Sequence, residues 1–149
     1  MKILVAVDQS GSDQNIVDYV RHYKLLEADE LKVLHVVEPL TIGSYMSVLP
    51  GPMLEEIRQT AFTEGEKVVH ATAEKLRLIF PQSVVTAEVQ NGFVVETIIE
   101  MAKSWSADFI TVAAHGRRGV NKFTLGSIAR AIISEGPCSV MLVSLKQTA

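Results

Sequence analysis

The sequence predicts an α/β fold, a single-domain open five-stranded parallel sheet with helices on both faces. Three observations carry that prediction. Short β-branched runs alternate with longer segments of helical period, the pattern of successive β-α units. Four of the five short runs are near-continuously apolar, as strands covered on both faces are. A chain of 149 residues, 48% apolar and 21% charged, has room for one sizeable core.

The strands are read at Lys2 to Val7, Leu31 to Val37, Val84 to Gln90, Asp108 to Ala113 and Ser139 to Leu145. The third differs from the rest. Its Val85, Ala87 and Val89 alternate with Thr86, Glu88 and Gln90, which suits a sheet edge and leaves the second edge unassigned. The first helix is expected over Asp13 to Leu26, with Ile16, Val17, Val20 and Tyr23 on one face and Ser12 or Asp13 as N-cap. Met53 to Phe80 reads as one long helix stopped by Pro81, with Ile57, Phe62, Val68, Val69, Ala73, Leu76 and Leu78 among charges. Gly92 to Trp105 offers Val94, Val95, Ile98, Ile99 and Ala102, and Gly126 to Ser134 offers Ile128, Ala129, Ile132 and Ile133; these faces are read as core. Pro39 to Pro52, with three prolines and two glycines, reads as a long loop, either a lid or contact segment or a plain flexible connection.

Composition excludes several function classes. A net charge of -3 argues against a nucleic-acid binder, which needs a strongly basic face. The single cysteine, Cys138, lies in an apolar run and reads as a buried small hydrophobe. With one cysteine and four scattered histidines, no metal-ligand spacing emerges. His35 reads as a packed core histidine, His22 and His70 as surface or half-buried helix residues. Met1 to Asp8 meets a charge within eight residues, too short for a signal core or a membrane span, so the expected location is cytoplasmic, away from membranes.

An open parallel sheet binds ligands at the carboxyl ends of its strands, where the strand order reverses. That rule selects three tips. At the first, Asp8 accepts hydrogen bonds from an amino group or ribose hydroxyl, or else Asp8 or Ser10 merely caps the next helix. At the second, Val36 is either a wall and backbone contact for a flat base or an ordinary core valine. At the fourth, Ala113-Ala114-His115-Gly116-Arg117-Arg118-Gly119 leads to Leu125-Gly126-Ser127, where a strand gives way to a helix. Glycines there permit close backbone approach, and Ser127 adds a hydroxyl and an N–H at a helix start. Arg117, Arg118 and Lys122 add local positive charge that favours a phosphate. On spacing alone, a phosphate cradle and a Ser-capped surface turn weigh equally. The segment is neither a Walker A loop nor the dinucleotide Gly-x-Gly-x-x-Gly.

Taken together these motifs resemble the universal stress protein family over nearly the whole chain. The resemblance rests on Ile3-Leu4-Val5-Ala6-Val7-Asp8 with Ser10, His35-Val36, the Ala114 to Gly119 turn, Leu125-Gly126-Ser127 and Pro137-Cys138-Ser139-Val140-Met141-Leu142-Val143. The nucleotide-binding branch of that family carries Gly, two residues, Gly, nine residues, Gly, then Ser or Thr. Gly116, the nine residues Arg117 to Leu125, Gly126 and Ser127 fit, while Ala113 stands at the first glycine position and adds a methyl group there. The resemblance implies a Rossmann-like, adenine nucleotide alpha hydrolase-like sheet of order 3-2-1-4-5, and a homodimer joined through the final strand. It also implies that Asp8 recognises the adenine or ribose end, Ala6 and Val7 line the base, Val36 meets adenine through its backbone, and Gly116, Gly126 and Ser127 hold phosphates.

The expected function is that of a stress-response sensor or regulator that binds ATP, or ADP or AMP, with Mg²⁺ or Mn²⁺ and thereby changes a surface seen by a signalling partner. No catalytic set emerges, so any hydrolysis is expected to be slow or partner-assisted. Two other readings stand beside it. One is a nucleotide-free dimeric interaction protein of the same family, which Ala113 favours. The other is an adenylating or ATP-pyrophosphatase-type enzyme, to which Ser10-Gly11-Ser12-Asp13 bears a weak likeness.

Overall fold

The structure is a computed structural model that describes residues 1–9, 11–25, 29–39, 49–114 and 125–144. Nine elements alternate along it: β1 (Lys2–Ala6), α1 (Asp13–Val20), β2 (Glu30–Val37), α2 (Gly51–Ile79), β3 (Val84–Asn91), α3 (Val94–Trp105), β4 (Phe109–Ala113), α4 (Ser127–Glu135) and β5 (Ser139–Val143). The strands form one parallel sheet in the order β3-β2-β1-β4-β5, as the resemblance implied. β3 is an edge, and β5 is the other.

Strand alternation divides the core between two layers. Ile3, Val5, Leu31 and Val33 point to α1 and α2, where they meet Ile16, Val17, Val20, Val69, Ala73 and Leu76. Leu4, Leu34, Val36, Ile110 and Val112 point to the other layer, against Ile98, Met101, Ala102 and Ile132. The near-continuous apolar runs are explained by this double cover. Among the described residues no helix is long and apolar enough to cross a membrane.

Several helix boundaries and faces differ from the sequence expectation. α1 ends at Val20, not Leu26, because the chain tightens through His22 N to Tyr19 O and Tyr23 N to Val20 O. Tyr23 and Leu25, which extend the helical period, pack into the core from this turn instead. Leu26 itself lies outside the described residues. Ser12 occupies the N-cap position, but makes no side-chain cap bond.

α2 begins at Gly51, so the end of the Pro39 to Pro52 segment is helix. Pro50 stands at the N-cap and Pro52 in the first turn, where a missing N–H costs nothing. Residues 40–48 of that segment lie outside the described residues. The buried stripe of α2 is Gly65, Val69, Thr72, Ala73 and Leu76; Leu78 falls off it and is 84% exposed.

α3 starts at Val94 because Gly92 adopts φ +156°, with its N–H bonded to Val37 O at 3.0 Å and no room for a Cβ beside Thr97 Oγ1. On α4 only Ala129 and Ile132 are buried; Ile128 is exposed at the cleft and Ile133 is exposed. A nine-residue helix at the margin of a sheet has one narrow stripe to bury. Cys138 is half-buried just before β5, not fully enclosed. Burial, then the nearby Asp108 charge, raises its thiol pKa above the ordinary value. Leu145, the expected end of the last strand, lies outside the described residues.

Candidate functional site

The chain winds outward from β1 through β2 to β3, then returns to β4 on the other side of β1. The loops leaving β1 and β4 therefore diverge, and a crevice must open between them at the carboxyl ends. A cleft of about 710 Å³ lies there, a size in the range of small-ligand pockets. Ala6, Val7 and Asp8 reach it from β1, Leu34 to Val36 and Glu38 from β2, Val112 and Ala113 from β4, and Gly126 to Ala129 from the start of α4.

Most of the lining is apolar. Ala6, Leu34, Val36 and Val112 supply it from the sheet, and Val94 and Ile98 from α3. The sequence assigns Val94 and Ile98 to the core alone; an i, i+4 apolar pair near a helix start has the same signature in either role, and only the packing of α3 against the sheet gives them the second. Asp8, Ser12, Glu38 and Ser127 provide the polar side chains, and His35 also lines the cleft with its Nδ1 engaged by Val7 O. An apolar slot with a few convergent polar groups is suited to a flat, partly polar molecule.

The two ends of the chemistry are built differently. At β1, Val7 donates its N–H to Leu34 O at 2.9 Å, one bond past the strand, while its side chain packs in the α1–α2 layer. The next residue, Asp8, is half-buried, and its Oδ1 accepts from Ser12 Oγ at 3.1 Å. A carboxylate held by a hydroxyl at the mouth of an apolar slot is an acceptor for hydroxyl or amino hydrogens.

At α4, Gly126 holds the N-cap position in extended conformation, φ -61° and ψ 155°, and among the described residues no side chain caps the helix. Its N–H is already given to Ala114 O at 3.0 Å, and its carbonyl accepts Arg130 N at 3.1 Å. What Gly126 offers a ligand is therefore close approach, not a donor. The donors are the first-turn N–H groups beginning at the exposed Ser127, with its hydroxyl, and they carry the positive end of the helix dipole.

His35 joins the two sides of β2. It is 8% exposed, lines the cleft, and its Nδ1 lies 2.9 Å from Val7 O. A carbonyl only accepts, so Nδ1 carries the hydrogen, and the neutral ring is the Nδ1–H tautomer. Behind it, Gly65 of α2 comes so near that a Cβ there would stand 2.6 Å from His35 Cδ2. Sequence reading passed over Gly65, since a glycine within a long helical pattern reads only as tolerated.

Thus Ala6, Val7, Asp8, Val36, Ala113, Gly126 and Ser127 come together around one cleft. Gly116, Ser10, Arg117, Arg118 and Lys122 lie outside the described residues.

The Universal stress protein family matches residues 1–144. Universal stress protein A homolog 1 of Coxiella burnetii is 30% identical over 147 residues, which cover 97% of this chain and 96% of that protein. Among solved structures, the hypothetical protein MJ0577 superimposes with a TM-score of 0.83 at 22% identity, covering 99% of this chain and 97% of its own. A universal stress protein family protein from Arabidopsis thaliana, solved with AMP bound, gives 0.66 at 18% identity, over 98% and 92% of the two chains.

Proposed function

The chain belongs to the universal stress protein family, and from that premise we propose that it is an adenine-nucleotide-binding regulator. The observation that carries the proposal is the joining, in one apolar cleft, of the Asp8 carboxylate and the N-terminus of α4, which begins at Gly126 and the exposed Ser127. One is an acceptor for ribose or amino hydrogens, the other a donor set for a phosphate. The cleft volume of about 710 Å³ accommodates such a ligand. In this reading Ala6, Val7 and Val36 wall the base, Asp8 takes the nucleoside end, and Ser127, with the close approach allowed at Gly126, takes a phosphate. Gly116 completes the motif. A bound ATP with Mg²⁺ or Mn²⁺ would add charge at the α4 end, and ADP or AMP would use the same nucleoside contacts.

The neighbour solved with AMP supports this choice of ligand class. The protein works as a binder whose surface changes with nucleotide, acting on a signalling partner during cellular stress in the cytoplasm. A second copy pairs along β5, whose outer edge meets no other strand among the described residues and whose Val140, Met141 and Leu142 are half-buried. Light scattering then finds twice the 16.3 kDa chain mass.

One residue favours a second reading. Ala113 lines the cleft and sets a methyl group at the first glycine position of the motif, which suits a nucleotide-free interaction protein. Native mass spectrometry of the purified protein separates the two. A co-purified adenine nucleotide, or a thermal shift on adding Mg-ATP or AMP, supports the first reading; repeated absence of both sinks it.

A further inference from the structure

The end of β1 is held at both of its polar backbone groups. Val7 gives its N–H to Leu34 O at 2.9 Å, an ordinary continuation of the parallel ladder. Its carbonyl is taken by a side chain, His35 Nδ1, also at 2.9 Å. Such a bond ties the exit of one strand to the body of its neighbour. The ring that makes it is fixed in turn, because α2 meets its Cδ2–Nε2 edge at Gly65, where even a methyl group would collide. Val89 closes on the same spot, 3.3 Å from where that methyl carbon would stand. Helix, ring and strand tip are thus one continuous packed contact, running from α2 to the residue before Asp8.

We propose that His35 is a positioning residue for the ligand site: through its Nδ1–H to Val7 carbonyl bond, braced by α2 at Gly65, it sets the direction in which Asp8 leaves β1 and enters the cleft. The inference rests on the nucleotide reading above and deepens it. Asp8 has a second tie, through Ser12 Oγ, which governs the carboxylate itself; His35 governs the backbone that carries it. A shift of the strand tip by a fraction of an ångström moves the acceptor relative to a ligand seated on α4, and hydrogen bonds are intolerant of that error.

The decisive comparison is His35→Asn against His35→Leu. The two side chains have nearly the same shape, and both remove the ring from Gly65, so both lower the melting temperature similarly. Only asparagine keeps a donor at the δ position. Titration calorimetry with Mg-ATP and with AMP is expected to find the asparagine variant within about three-fold of the natural protein and the leucine variant weaker by about ten-fold or more, the worth of a buried hydrogen bond to a carbonyl. In the ligand-free proteins, amide exchange at Asp8 is expected to be faster for leucine than for asparagine. Equal affinities and equal exchange in the two variants overturn the proposal while leaving nucleotide binding intact. A natural protein that binds neither nucleotide overturns the functional reading itself, and this inference with it. Should the leucine variant fail to fold, Gly65→Ala decides: it lies outside the cleft yet displaces the ring, and it is expected to weaken nucleotide binding several-fold, whereas unchanged affinity refutes the relay.

Discussion

Replacing Gly65 by alanine tests the close approach of α2 to the His35 ring, and its sign is not what helix propensity suggests. Alanine in a helix interior is favoured over glycine by about 1 kcal/mol. Gly65 lies midway along α2, so that gain is available in full. Against it stands a Cβ placed 2.6 Å from His35 Cδ2, 3.3 Å from Val89 Cγ1 and 3.4 Å from His35 Nε2. Carbon pairs rest at about 3.5–4.0 Å, so the ring must retreat by roughly 1 Å. It is not a loose side-chain end: that movement stretches the 2.9 Å bond to Val7 O beyond hydrogen-bonding distance. Overpacking costs about 1–3 kcal/mol, and the strained buried hydrogen bond about 1 kcal/mol more. Net destabilisation is then about 2 kcal/mol, a fall of about 4–8 °C in melting temperature for a chain of this size. Urea and thermal unfolding followed by circular dichroism measure it. In a His35→Ala background the collision partner is gone, and the same Gly65→Ala change is expected to stabilise by about 1 kcal/mol. Stabilisation of the natural protein by Gly65→Ala, or additivity of the two changes within about 0.5 kcal/mol, refutes the argument.

Thr111 is fully buried beside Tyr23, and neither hydroxyl has a partner in hydrogen-bonding geometry among the described residues; Thr111→Val is expected to stabilise by about 1 kcal/mol, and destabilisation instead would show that the two neighbouring hydroxyls bond each other. Burial is also the main cause that raises the Tyr23 phenol pKa, with Thr111 opposing it. The Cys138 thiol is held protonated by burial and by Asp108, so iodoacetamide alkylation of the folded protein should require a higher pH than in urea. Since the folded state keeps its proton longer, this group's share of stability declines as pH rises past the unfolded thiol's value; equal alkylation profiles in the two states would contradict it. Gly126→Val is expected to weaken nucleotide binding while the fold survives, because the loss is of close approach at the α4 start; unchanged affinity argues against the assigned phosphate end.

The order of elements was legible because its causes are local. Ile3, Val5, Leu31 and Val33 sit in runs too short for helices and too apolar for exposed strands, and the stretch from Gly51 to Ile79 keeps a helical period almost to its end. Ends of helices were less legible. Tyr23 continues the α1 period in sequence, yet a tightened turn delivers it to the same core at less length, and period alone does not separate these solutions. Leu78, Ile128 and Ile133 show the same limit: apolarity marks candidates for burial, while the neighbouring layer decides which stripe is covered.

For the site, Asp8, Val36, Gly126 and Ser127 could be nominated from the sequence, since strand tips and helix starts are positions along a chain. Val94, Ile98 and the His35–Gly65 contact could not. They arise where α3 and α2 pack against the sheet, and a contact between residues 30 positions apart has no local signature. By itself the sequence determined a parallel α/β sheet, its family and the side chains available at its ligand-facing end. The tertiary structure alone decided which donors remain for a ligand, spending the Gly126 N–H on Ala114 and the Val7 carbonyl on His35, because backbone hydrogen bonds are allotted only once the chain has closed on itself.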